Sequence, residues 1–139
     1  MKKDNQHSPL STLNYPFTKR NSVAEKSFQF SLRVVKMSKF LQSEKREYVL
    51  SKQVLRSGTA IGALVREAEH AQSKADFINK MSIALKEANE TDYWIELLFQ
   101  SGEITQESYQ SIKPDIQELL KLLVSIVKTS RENAENDKK

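Results

Sequence analysis

The sequence predicts an all-α protein that folds as an antiparallel, up-down-up-down four-helix bundle. Four segments repeat apolar residues at intervals of three and four, which is the spacing of one face of an α-helix. Three glycines and three prolines in 139 residues are too few for the many turns of an all-β fold. The connections between the segments are short, which places consecutive helices side by side and antiparallel.

The chain divides into an arm, a bundle and a tail. Residues 1–20 contain two prolines and show no apolar periodicity, which predicts a flexible N-terminal arm. Residues 21–130 are expected to form the bundle, with helices at about 22–43, 47–71, 74–101 and 106–130. Residues 131–139 hold no apolar side chain larger than alanine, which predicts a disordered tail.

The first helix is expected to begin at Ser22, because Ser22 and Glu25 have the spacing of a capping box. Its apolar residues form two rows, so two sides of the helix are expected to pack against other parts of the protein or another subunit. One row is Phe30, Val34, Met37 and Leu41, and the other is Phe28, Leu32 and Val35. The second row, together with Trp94 and Leu97 in the third helix, predicts a contact between subunits.

Two glycines lie four residues apart in the second helix, whose apolar stripe continues through Gly58 without a break. The spacing of Gly58 and Gly62 matches neither the phosphate-binding G-x-x-x-x-G-K-[ST] pattern nor the dinucleotide-binding G-x-G-x-x-G pattern. A glycine inside a helix costs about 1 kcal/mol relative to alanine, so a compensating interaction is expected. We interpret the pair as a close-packing surface that a neighbouring helix backbone approaches.

The last two helices have recognisable starts. Ser73 stands three residues before Asp76, which is the N-cap spacing that begins the third helix. Thr105 is expected to begin the fourth helix, after a glycine that ends the third. Pro114 is expected to kink the fourth helix or to separate its first turns.

The sequence predicts no metal, no cofactor and no enzymatic activity. The absence of cysteine excludes disulfides, thiolate metal sites and a cysteine nucleophile. Glu67 and His70 have the E-x-x-H spacing of a di-iron bundle site, but the other histidine, His7, lies in the predicted arm. Because a complete site needs a second such pair on another helix, Glu67 and His70 are expected to be surface residues.

Acidic residues of the third helix are interpreted as structural rather than catalytic. No histidine, cysteine or glycine-rich loop completes a site around them. Glu87 and Glu90 are instead expected to form ion pairs with Arg56 and Arg66, which flank the small residues of the second helix.

Charge is distributed unevenly along the chain. Residues 1–66 carry 13 Lys and Arg against 4 Asp and Glu, whereas residues 67–139 carry 9 against 14. The basic half favours a polyanionic partner, or else the two halves neutralise each other within the fold or across a subunit contact. The candidate nucleic-acid-binding residues surround the turn between the first two helices: Lys36, Lys39, Lys45, Arg46 and Lys52.

The run from residue 50 to residue 98 carries a specific pattern of short motifs. They are Leu55-Arg56-Ser57-Gly58, Ile61-Gly62, Arg66-Glu67-Ala68, Ser73-Lys74-Ala75-Asp76-Phe77 and Lys86-Glu87-Ala88, followed by Trp94. In these motifs the chain resembles a bacterial family of four-helix-bundle proteins that are encoded in intervening sequences of 23S ribosomal RNA genes. The resemblance implies a left-handed bundle and a ring of subunits, a pentamer in the family, but no established activity.

Two functions are compatible with these patterns. The first is a non-enzymatic homo-oligomeric bundle whose basic half contacts the phosphates of RNA or DNA. The alternative is a protein–protein scaffold ring with no nucleic-acid role. The protein is expected in the cytoplasm and away from membranes, because its N-terminus lacks the apolar run of a signal peptide and its most apolar stretch, LLKLLVSIV, is too short to span a bilayer.

Overall fold

The computed structural model describes residues 18–138, with side chains described from Val23 onward. This part of the chain forms four helices, α1 (Thr18–Ser43), α2 (Leu50–Glu69), α3 (Lys74–Gln100) and α4 (Gln106–Asp137), and contains no strand. The all-α fold predicted from the sequence is therefore confirmed. Residues 1–17 of the predicted arm lie outside the described residues.

The helices pack as a bundle in which each is next to the one that follows it, and α1 also packs against α4. The order of contacts shows that α1 and α2 run in opposite directions. Near the turn, Ser38 Oγ donates a hydrogen bond to the Ser51 carbonyl at 3.1 Å, whereas far from it Gly62 lies against Ser27. Contacts between α2 and α3 and between α3 and α4 have the same reversed order. The left-handed sense of the bundle stays a prediction.

One stripe from each helix fills the centre of the bundle. In α1 this stripe contains three members of the first apolar row, while Met37 is half buried. The largest fully buried side chains are Phe30, Leu41, Ile61, Met81, Ile95, Leu98, Ile116, Leu119 and Leu123. No helix among residues 18–138 is long and apolar enough to span a membrane.

Side-chain caps fix the starts of α3 and α4. Ser73 Oγ accepts the backbone N–H of Asp76 at 3.0 Å, as the sequence spacing predicts. Thr105 Oγ1 accepts the backbone N–H of Ser108 at 3.1 Å. After α3, Gly102 has φ 83°, the left-handed conformation that ends many helices and that glycine adopts without steric cost.

Helix α1 begins four residues before the position predicted from its capping box. Because the helix starts at Thr18, Ser22 lies inside it and is not the N-cap. The physical reason is that no helix breaker stands between Pro16 and Ser22, so an established helix extends backward at little cost.

Helix α4 extends to Asp137, so the prediction that the tail becomes disordered from residue 131 is wrong for residues 131–137. This segment packs beside the start of α3, where Lys74 forms an ion pair with Asp137 and Arg131 Nη2 donates to Ser82 Oγ at 3.1 Å. An exposed segment without large apolar residues therefore continues as a helix because a neighbouring helix supplies polar partners.

Pro114 lies within α4, which remains one continuous helix, so the predicted separation of its first turns is wrong. Arg33 of α1 contacts both sides of this proline. Its guanidinium donates to the Ser111 carbonyl at 3.0 Å and to Asp115 Oδ2 at 2.6 Å. These bonds hold together the turn in which proline removes a backbone donor.

Candidate nucleic-acid interface

The turn between α1 and α2 folds back closely on the end of α1. The backbone N–H of Glu44 donates to the Phe40 carbonyl at 2.8 Å, and that of Glu47 donates to the Leu41 carbonyl at 2.9 Å. Arg46 lies between these two hydrogen bonds along the chain. Its φ of 53° falls in the left-handed region, which residues other than glycine rarely adopt. The turn is therefore held in a defined shape by its own backbone.

Glu47 acts as the cap of α2 through its side chain. Its carboxylate accepts the backbone N–H groups of Val49, Leu50 and Ser51 at 3.3, 3.0 and 2.7 Å. The negative charge consequently sits at the positive end of the helix dipole. Sequence analysis missed this cap and began α2 about three residues too early, because the carboxylate precedes the N-cap residue, Val49, by two positions.

All five cations predicted to bind nucleic acid are exposed around this turn. They are Lys36, Lys39, Lys45, Arg46 and Lys52. None of them forms an ion pair with the residues that the structure describes, whereas cations elsewhere in the bundle, such as Arg33, Arg56 and Lys113, are paired. With Glu47 directed to the start of α2, the exposed Glu44 is the other carboxylate of the turn, so the five cations outnumber the acidic residues on this segment.

The two glycines of α2 lie where α1 approaches most closely. A Cβ atom added at Gly58 would stand 2.9 Å from both Cγ atoms of Val34. One added at Gly62 would stand 3.3 Å from the backbone oxygen of Ser27. A Cβ at Gly58 therefore needs Val34 to shift, whereas a Cβ at Gly62 is a tight contact that the backbone of α1 must relieve by a few tenths of an ångström. Close packing of α1 on α2 is thus tightest at Gly58.

Of the two arginines predicted to pair with α3, only Arg56 does so within the described residues. Its guanidinium bonds Glu87 at 3.2 Å and also forms an ion pair with Glu90, whose carboxylate accepts the Trp94 indole N–H at 3.0 Å. The hydrogen bonds from Arg56 and Trp94 lower the pKa of Glu90. Arg66 is exposed and forms no ion pair with residues 18–138.

A second polar cluster joins α3 to α4. Sequence analysis interpreted its acidic residues as partners for basic side chains but did not identify Lys113 or Tyr109 as those that contact them. Lys113 Nζ lies 2.6 Å from Asp92 Oδ1 and 3.3 Å from Glu96 Oε1, and the Tyr109 hydroxyl donates to Glu96 Oε1 at 2.7 Å. The hydrogen bond from Tyr109, followed by that from Gln100, lowers the pKa of Glu96. No spacing rule links residues on different helices, so only the packing reveals this cluster.

Acid is expected to destabilise the protein partly through Glu96. A carboxyl group with a lowered pKa stabilises the folded state above its unfolded-state pKa, and this stabilisation is lost as the pH falls. We therefore expect Glu96→Gln to flatten the fall in the urea midpoint between about pH 6 and pH 3. Glu132→Gln, at an exposed position of α4, is the control, and its urea midpoint should fall with pH as steeply as that of the parent. An equally steep acid dependence in Glu96→Gln would contradict this role.

The residues predicted to form a subunit contact lie on two helices that are not neighbours in the bundle. On α1, Phe28 and Leu32 are 50% and 47% exposed, and Val35 is half buried. On α3, Trp94 and Leu97 are half buried, and Trp94 packs against the core. Since α1 and α3 are not adjacent helices of the bundle, the two groups lie on separate surfaces.

A surface groove runs beside Phe28 and passes over the small residues of α2. Its volume is about 800 Å³, and its lining includes the small residues Thr59, Gly62 and Ala63 as well as charged side chains such as Arg66 and Glu67. A different cavity, of about 850 Å³, lies between the α2–α3 turn and α4 and includes Phe77 and Ile126. Both are open to solvent and are lined by apolar, polar and charged residues.

The described residues hold no group of three or more His, Cys, Asp or Glu side chains that could bind a metal ion. Glu67 and His70 are exposed, and Glu67 lies 3.5 Å from Lys80 in an ion pair. His7 falls outside the described residues. Glu67 and His70 are therefore surface residues, and Glu67 is paired with a lysine.

The fold defines the class of this protein as an all-α four-helix bundle. The family model of the 23S rRNA-intervening sequence protein matches residues 19–125, and the chain belongs to this family. The chain is similar to the crystal structure, at 1.70 Å resolution, of a protein of unknown function from the S23 ribosomal protein family of Bacteroides thetaiotaomicron VPI-5482. The two share 60% identity over 76% of this chain and 98% of that one, with a TM-score of 0.75. No curated protein matches the chain.

Proposed function

We propose that this protein is a non-enzymatic, homo-oligomeric bundle of the cytoplasm that contacts the phosphates of RNA or DNA through its basic turn. The basic turn consists of Lys36, Lys39, Lys45, Arg46 and Lys52. The observation that carries the proposal is that all five cations are exposed and unpaired among the described residues. The name of the family, which links it to an intervening sequence of ribosomal RNA, supports a nucleic-acid partner.

Oligomerisation would make such a surface effective. A single patch of five cations gives a weak, salt-sensitive contact, whereas copies of the patch around an assembly act together with a higher effective concentration. The exposed apolar row of α1, Phe28 and Leu32, supports a subunit contact, because exposed apolar side chains at helical spacing mark interaction surfaces. In a ring, two different faces of each subunit meet, so the separate α1 and α3 surfaces suit a head-to-tail contact.

The alternative function is a scaffold that assembles through protein contacts alone. The observation in its favour is the groove beside Phe28, which is lined by small and charged residues and could receive a helix of another protein. In this function the basic turn would face solvent or an acidic neighbour and would bind no nucleic acid.

Filter binding of labelled RNA across a salt series separates the two functions. We expect binding at low salt that is lost at a few hundred millimolar, because each neutralised phosphate adds about −0.9 to the log–log salt slope on a duplex and about −0.7 on a single strand. The double variant Lys45→Glu/Arg46→Glu should weaken binding on the order of tenfold and make the slope shallower.

The matched control is Lys121→Glu/Lys128→Glu, which makes the same change of net charge at exposed positions of α4. It should bind more tightly than the turn variant. If the intact protein fails to bind at low salt, or if the two double variants weaken binding equally, the basic turn is not the contact and the scaffold is favoured.

A further inference from the structure

Two aromatic rings stand beside the cations of the basic turn. Phe40, at the end of α1, is 47% exposed, and Tyr48, at the end of the turn, is 52% exposed. The 2.9 Å hydrogen bond from Glu47 N to the Leu41 carbonyl joins the sequence neighbours of these two residues. The turn therefore brings both rings to the same end of the bundle.

Neither ring has a partner among the residues that the structure describes. Four other aromatic side chains are paired: Phe99 stacks on Tyr109 with ring centroids 4.1 Å apart, and Tyr93 meets Trp94 edge to face at 5.1 Å. By contrast, Phe40 and Tyr48 stack on no described ring, and the Tyr48 hydroxyl makes no hydrogen bond to a described residue. About half of each residue is exposed and can be reached by an external partner.

The rings are interleaved with positive charge along the chain. Lys39 directly precedes Phe40, while Lys45 and Arg46 precede Tyr48 by three and two positions. Surfaces that bind single-stranded nucleic acid combine these two elements, because cations follow the backbone and aromatic rings stack on exposed base faces. A duplex offers phosphates to the cations but keeps its base faces stacked inside.

The backbone of Arg46 adds an independent sign of function. Arg46 is the only residue other than glycine with a positive φ among residues 18–138. A glycine would adopt this conformation without strain, but it would lack the guanidinium group. Residues in sparsely populated backbone conformations cluster at functional sites, where the surrounding structure holds them in place.

We propose that the basic turn binds unpaired nucleotides of RNA, with one base stacked on Phe40, another on Tyr48, and the intervening phosphates held by Lys39, Lys45 and Arg46. This inference rests on the proposed function and deepens it, since it selects single strands over duplexes. Affinity would then have two separable parts, a salt-dependent part from the cations and a less salt-dependent part from the rings.

The test compares the full-length protein and ring variants on a single-stranded RNA and on a duplex of the same length. Phe40→Leu and Tyr48→Leu keep apolar side chains but remove the rings. Because both positions are exposed, the helical circular dichroism should not change. We expect each change to weaken single-strand binding by about tenfold, with the salt slope and duplex binding unchanged. Tyr93→Leu, which removes a ring that is 59% exposed on α3, is the control and should bind like the parent.

The outcomes distinguish this inference from the proposed function. Unchanged single-strand affinity in both ring variants, together with a loss in Lys45→Glu/Arg46→Glu, overturns stacking and leaves phosphate binding intact. Equal losses on single strand and duplex also overturn stacking. A ring variant that becomes a smaller assembly in light scattering shows that the rings serve a subunit contact instead. No binding of either RNA by the parent overturns both proposals.

Discussion

Replacement of Gly58 by leucine is expected to destabilise the protein by about 1–3 kcal/mol, the usual cost of overpacking a core. Even the first added carbon would stand 2.9 Å from both Cγ atoms of Val34, whose side chain is fully buried. The strain outweighs the roughly 1 kcal/mol gained when a glycine is removed from a helix. Urea unfolding followed by circular dichroism measures the difference.

The matched control is Ala63→Leu, which enlarges an exposed position on the same helix and should leave the urea midpoint nearly unchanged. Gly62→Leu should also destabilise, since the added side chain meets the backbone of Ser27, which yields only if α1 moves. A Gly58→Leu protein as stable as the parent would show that the two helices do not depend on close approach at this position.

Replacement of Leu32 by glutamate is expected to break the proposed assembly while the subunit stays folded. Leu32 is 47% exposed and lies outside the buried core, so a carboxylate there remains solvated in the free subunit. In a subunit contact the same carboxylate would lose water without gaining a partner, at a cost of several kcal/mol. Light scattering should therefore shift from a multiple of the 16.0 kDa chain towards a single chain, with the helical signal retained.

Gln29→Glu, at an exposed position on α1 outside the apolar row, is the control and should preserve the assembly. Trp94→Glu is a less specific probe, because the Trp94 indole donates to Glu90 and packs on the core, so its loss also disturbs the fold. A parent that is already monomeric at micromolar concentration would remove the oligomeric part of the proposal.

Only part of the candidate site could be predicted from the sequence. The five cations of the basic turn could be grouped because they are close along the chain and a short connection makes their helices antiparallel. The role of Glu47 could not be read, since its carboxylate caps α2 from outside the usual N-cap position. The exposed rings of Phe40 and Tyr48 were also missed, because exposure depends on which side of a helix end the rest of the bundle covers.

The sequence by itself determined the helices, their order and the stripe that each buries. Apolar spacing and N-caps such as Ser73 and Thr105 act within one or two turns, so they operate before any distant contact forms. Tertiary structure alone decided how far helix α4 extends and whether it continues through its proline. Helix α4 reaches Asp137, which pairs with Lys74 of another helix, and α4 passes through Pro114, beside which Arg33 of α1 bonds the adjacent turn. Contacts between distant parts of the chain leave no fixed spacing in the sequence, because the folded backbone alone brings those side chains together.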